Sequence, residues 1–180
     1  MALKSTIFKF DLDVADIDRG HYGRHALTLA RHPSETDERM MVRLVAFVLH
    51  AGDALEFGRG IASDDEPALW QRDLTGVIET WIEVGLPDEK QVRRACGRAR
   101  QVVIYAYGSG ATLWWSKVGA SLARQAQLAV VQIPVATSRA LAELAQRTMT
   151  LHCTIQDGHV WLTTGEHTVE IAPIALKAAG

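Results

Sequence analysis

Apolar and polar residues alternate over residues 5–12, where Phe8, Phe10 and Leu12 are separated by Lys9 and Asp11. A period of two predicts a half-buried strand. Residues 22–31 interleave Ala26, Thr28 and Ala30 with Leu27 and Leu29 and predict its partner, with Asp18-Arg19-Gly20 in the connection. The spacing then becomes helical. Met41, Leu44, Val45 and Val48 form one apolar stripe on a helix that runs to about His50 and stops at Gly52. Ser34, between Pro33 and a capping-box Asp37, reads as the N-cap. Glu38 precedes Met41 by three residues and Val45 by seven, so its carboxylate is expected to face inward, where an unpaired charge is costly.

Short strands are expected at residues 55–57 and 69–71, with the acidic loop Ser63-Asp64-Asp65-Glu66-Pro67 between them. Residues 77–84 are rich in β-branched and aromatic types, which predicts a further strand. Its alternation puts Glu79, Trp81, Glu83 and Gly85 on one face, and Ile78, Ile82 and Val84 on the core face. Pro87 opens a second helix with Asp88 and Glu89 at its positive end. Val92, Ala95, Cys96 and Ala99 give that helix an apolar side, while Lys90, Arg93, Arg94 and Arg98 occupy much of the remainder. A strand at 102–107, a helix containing Trp114, Trp115 and Leu122, a strand at 128–133 and a short helix at 138–145 follow. The C-terminal part reads as hairpins, turning at Asp157-Gly158, a type I′ signal, and at Thr164-Gly165-Glu166. The order ββ, αβββαβ, αβα, βββ predicts an α+β fold with a mixed sheet, in a single domain over residues 1–180.

A chain of 180 residues can bury a sizeable core without metal or disulfide staples. Its formal net charge of -2 gives no bulk attraction to nucleic acid, so any such contact needs a local basic surface. No apolar run reaches the roughly 18 residues of a membrane span, and Met1-Ala2-Leu3-Lys4 lacks the apolar run of a signal peptide. The expectation is a cytoplasmic protein without membrane contact. Cys96 and Cys153 stand far apart and outside any CxxC pair, which predicts two buried thiols. His21 and His25 can share a strand face, but no Cys or third His joins them in sequence, so no His metal site is expected there. Gly108-Ser109-Gly110 is too short for a phosphate loop and lacks its Lys.

Several long segments, in one order, carry a resemblance. They are Arg31-His32-Pro33-Ser34-Glu35-Thr36 with Glu38-Arg39-Met40-Met41, and Asp64-Asp65-Glu66-Pro67 with Trp70. Trp81-Ile82-Glu83 with Gly85-Leu86-Pro87-Asp88-Glu89, the pair Trp114-Trp115, and Arg147-Thr148-Met149-Thr150 with Ile155-Gln156-Asp157-Gly158 complete the set. Together they resemble the YaeQ family over nearly the whole length. The resemblance implies a PD-(D/E)XK, restriction-endonuclease-like αβββαβ core at about residues 34–134, flanked by terminal strands. It implies a Mg²⁺-dependent (or Mn²⁺-dependent) nuclease acting on DNA or RNA. Glu38 would be the helical carboxylate, Asp65 or Glu66 the second acid and Glu83 the third, with Glu79 on the same face as a further ligand. Gly85 stands where the motif has Lys, and Lys90 is the nearest replacement. Arg93, Arg94 and Arg98 would hold the phosphate backbone by charge. The alternative is a non-catalytic nucleic-acid- or protein-binding module with a degenerate nuclease fold, linked to transcription elongation. Independently of the family, carboxylates from several segments suit a hard, oxygen-seeking cation.

Overall fold

Two β-sheets enclose the helix α1 (Asp37–His50), as seen in the computed structural model, which describes residues 4–59, 61 and 65–180. The first sheet is built on the long hairpin β1 (Thr6–Asp16) and β2 (His21–Arg31). The second contains the antiparallel meander β3 (Leu55–Phe57), β4 (Leu69–Arg72) and β5 (Ile78–Val84). After α2 (Glu89–Arg98) the chain returns as β6 (Ala99–Ala106), parallel to β5. After α3 (Ala111–Leu122) it adds β7 (Leu128–Gln132), parallel to β6. Then α4 (Val135–Leu144) leads into β8 (Thr148–Gln156), which pairs in parallel with β1. The hairpin β9 (His159–Thr164) and β10 (His167–Ile171) extends the first sheet, and β11 (Ile174–Lys177) crosses to the far edge of the second. The strand orders are β10-β9-β8-β1-β2 and β11-β7-β6-β5-β4-β3.

The α+β class therefore holds, with two sheets where the sequence suggested one. The terminal hairpins are not appendages. Phe8, Phe10, Leu12 and Val14 of β1 and Met149, Leu151 and Cys153 of β8 share one core with α1, Ile82 and Val84. The opposite face of the second sheet makes a second core, where Trp81, Val102, Ile104 and Val130 pack against Val92, Ala95 and Cys96 of α2 and Leu122 of α3. Both cysteines are buried and unpaired.

α1 shows why the first layer matters. Every residue from Met40 to Val48 is buried, including Arg43. A helix covered on all sides needs no polar face, so the apolar stripe read from the sequence was only part of its contact surface. The helix begins later than expected. Thr36, not Ser34, is the N-cap, and its hydroxyl accepts the Arg39 N–H at 3.1 Å. Ser34 instead bonds the His32 ring at 2.6 Å, which holds the turn before the cap. In α2, Asp88 and Gln91 form a complete capping box. That box fixes the entry angle of the helix lying over the end of β5. Among the described residues, no helix is long and apolar enough to cross a membrane.

Candidate functional site

The carboxyl end of β5 and the start of α2 form one wall of a pocket of about 260 Å³. Trp81 is buried beneath α2, and Glu83 lies two residues further on the same strand face. The Trp81 Nε1–H donates to a Glu83 carboxylate oxygen at 2.8 Å. Burial pushes the Glu83 carboxyl up to about 7, against the smaller opposing pulls of that hydrogen bond and of the Arg39 charge. Arg39 reaches the pocket from α1 and Arg94 from α2, while Glu66 comes from the segment before β4. Gln91, the capping residue of α2, also faces the pocket.

Arg39 is held in place from behind. Glu35 accepts its guanidinium at 2.8 Å and that of Arg43 at 2.7 Å. This triad, buried at Glu35 and Arg43, escaped the sequence reading, which singled out Glu38 as the inward-facing carboxylate of this helix. Arg31 pairs with Asp37. The signal for Glu35–Arg39 is their four-residue spacing, but Glu35 lies just outside the helix that such spacing normally describes.

The expected convergence of carboxylates is only partly realised. Glu66 and Glu83 line the same pocket. Glu38 turns instead toward α4, where the buried Ser138 hydroxyl donates to it at 2.7 Å. Glu79 pairs with Arg100 of β6 at 2.9 Å. Asp65 lies 3.6 Å from the Arg98 guanidinium. Glu66 accepts the Arg59 N–H at 3.0 Å. Of the expected cations, Arg94 lines the pocket and Lys90, exposed on α2, does not. Arg93 is committed to Glu89 and to the Ser121 carbonyl, each at 2.8 Å. Ser63 and Asp64 of the acidic loop lie outside the described residues.

The family model described as YaeQ protein matches residues 1–173. The chain belongs to the YaeQ family. The YaeQ protein of Salmonella typhi is 46% identical over 172 residues, 95% of each chain. That of Escherichia coli K12 is 44% identical over the same share. The crystal structure of YaeQ from Xanthomonas axonopodis pv. citri superposes with a TM-score of 0.93 at 47% identity, covering 97% of this chain and 99% of that one. The Pseudomonas syringae YaeQ structure gives a TM-score of 0.93 at 36% identity, covering 97% of each.

In this YaeQ-family chain Gly85, where the resemblance led to the expectation of a lysine, has a backbone that disfavours one. Gly85 sits at φ 119°, where side chains bearing a Cβ are rarely found, and its N–H donates to the Tyr105 carbonyl at 2.9 Å. A Cβ there would touch nothing, so the obstacle is conformational and not steric crowding. Gly85→Lys is expected to lower stability by about 1–2 kcal/mol, measured by urea denaturation. An unchanged midpoint would show that the turn relaxes freely.

A magnesium ion was also expected. Mg²⁺ favours one or two carboxylates plus retained water and substrate phosphate over a closed protein cage. Glu66 and Glu83 suit that arrangement. The four-carboxylate set does not form, and among the described residues no three His, Cys, Asp or Glu side chains group closely enough to hold a metal ion.

Proposed function

We propose that this protein is a nucleic-acid phosphodiesterase of the PD-(D/E)XK type, working at the Glu66–Glu83 pocket with Mg²⁺ or Mn²⁺. One observation carries the reading: two carboxylates and two guanidiniums, from Glu66, Glu83, Arg39 and Arg94, line a single pocket. Phosphodiester hydrolysis needs positive charge against the phosphate and a group able to hold a cation or handle a proton. Arg39, fixed by Glu35, and Arg94 would take phosphate oxygens by charge-assisted hydrogen bonds. Glu83, with its pKa near neutrality, can exchange a proton at working pH. A metal bound by Glu66 and Glu83 would neutralise phosphate charge and acidify a coordinated water.

Two features add support. The order α1, the β3-β4-β5 meander, α2 and a parallel β6 fits a restriction-endonuclease-like core. A second cleft of about 550 Å³ shares Glu66 with the pocket and carries Arg59 and Arg72 beside Trp70. It offers a DNA or RNA strand a basic path to the reacting centre.

The second reading is a non-catalytic nucleic-acid- or protein-binding module, one acting in transcription elongation for example. The Gly85 backbone favours it, because it disfavours a lysine at the usual catalytic position. The test uses labelled single- and double-stranded DNA and RNA with Mg²⁺ or Mn²⁺. The first reading expects chelator-sensitive cleavage that disappears in Glu83→Gln, and a rise in Tm with Mg²⁺ that the variant lacks. Salt-sensitive binding that is lost in Arg94→Ala, with no cleavage under either metal, selects the second reading. A protein that neither cuts nor binds nucleic acid rejects the phosphodiesterase.

A further inference from the structure

On the other side of α1, the strand β2 carries the sequence His21-Tyr22-Gly23-Arg24-His25. Residues 21, 23 and 25 share the strand face turned toward α1. Gly23 leaves that face bare between the two histidines, and their rings close over the gap. The two Nε2 atoms are 3.2 Å apart. A Cβ on Gly23 would lie 3.7 Å from each of them, in ordinary contact with both, so residue 23 sits directly under the pair. The His25 ring is fixed from behind by the edge-on Phe47 ring, 5.3 Å between centres.

We propose that His21 and His25 form a binding site for a zinc ion. Zinc–imidazole bonds of about 2.0–2.1 Å at a tetrahedral angle hold two nitrogens about 3.3 Å apart, close to the spacing already present. The rings now meet almost head-on, with centres 5.4 Å apart, so one Nε2–H donates to the other ring. Each ring must turn by roughly 35° to aim both lone pairs at one ion at the tetrahedral angle. Both rings then carry their proton on Nδ1. Paired nitrogens select a borderline cation over Mg²⁺, which prefers oxygen. Asp53, in the loop after α1, acts on His25 through its negative charge. Among the described residues no third ligand joins the pair, so the remaining positions belong to water or to an incoming group. The site is independent of the Glu66–Glu83 pocket.

The test is competition for Zn²⁺ between the full-length protein and a chromogenic zinc indicator, with folding followed by circular dichroism. One equivalent is expected to bind in the micromolar range. His21→Asn and His25→Asn should each weaken it by about 100-fold, because the second imidazole acts as an intramolecular ligand. Gly23→Val supplies the control: it keeps both imidazoles and suits a strand, yet it fills the gap and should also abolish binding. Affinity no better than millimolar would overturn the proposal and leave a plain His–His hydrogen bond. Micromolar binding that survives in both His25→Asn and Gly23→Val would overturn it equally, because the zinc would then sit elsewhere.

Discussion

Replacing Glu35 by glutamine is expected to destabilise the fold by about 3–5 kcal/mol, the usual cost of stripping one partner from a buried ion pair. Glu35 is 6% exposed and Arg43 3%, so water cannot take over what the carboxylate does. Burial already lowers the Arg43 pKa, and Glu35 is the first influence opposing it. The remaining partners of Arg43 are weak. Its Nη2 lies 3.4 Å from the Ala30 carbonyl, and its Nε–H finds no acceptor among the described residues. A glutamine offers one neutral oxygen where the carboxylate met two guanidiniums, and its amide would face a cation. Such a loss is a large part of the stability of a chain this size. Urea denaturation measures it directly, and a loss under about 1 kcal/mol would mean that the pair is far better solvated than its burial implies. The companion variant is Glu35→Leu with Arg43→Met. An apolar replacement of both charges is expected to recover most of the stability. It should still leave Arg39 without its tether, so the pocket would lose an ordered guanidinium in a well-folded protein.

The parts of this architecture that sequence could reveal are those fixed by local geometry. The Asp157-Gly158 turn is one. Both residues have positive φ, 52° and 76°, as a type I′ hairpin requires, and only a few residue types tolerate that. The alternation through β8 is another: its residues are exposed and buried in strict turn from Thr148 to Gln156. What sequence hid was set by partners distant in the chain. β1 lies parallel to β8, with Lys9 opposite Thr148, and no local pattern announces a pairing across that separation. That pairing builds the first sheet apart from the second and encloses α1 between them. The site was hidden for a related reason. Successive residues on a helix point about 100° apart, so Glu38 faces Ser138 while Arg39 faces the pocket. The strand pattern placed Glu79 and Glu83 on one face. It could not show that Arg100, on the neighbouring parallel strand, would claim Glu79, while Glu83 bonds Trp81 and pairs with no arginine among the described residues.

That difference makes the second large prediction. Glu83→Gln is expected to stabilise the protein at pH 8, and much less at pH 5. The native carboxyl has its pKa raised from 4.5 to about 7, chiefly by burial. A raised native pKa means that Glu83 is at its most favourable for folding below pH 4.5, where both states hold the proton. The contribution is lost as pH rises through about 7, because the native state must then bury a charge that the unfolded chain leaves in water. A shift of this size corresponds to about 3 kcal/mol, or about 2 after allowance for the water that still reaches the pocket. Glutamine never ionises, and its amide oxygen can still accept the Trp81 N–H. His50 must be separated from this effect. It is half-buried against Tyr105, and desolvation followed by the Arg19 charge lowers its pKa to about 4. Its contribution is present above pH 6.5 and falls away toward pH 4, the opposite sense to Glu83. The wild-type curve alone therefore looks flat between these limits. The difference between wild type and Glu83→Gln, measured by denaturation at each pH, cancels His50 and isolates the carboxyl. A difference that grows between pH 5 and pH 8 identifies Glu83 as a carboxyl held at a cost in stability, as expected of a group that works by its proton or its metal. A difference that stays flat would mean that the carboxyl is already well paired, and would leave the pocket without its distinguishing group.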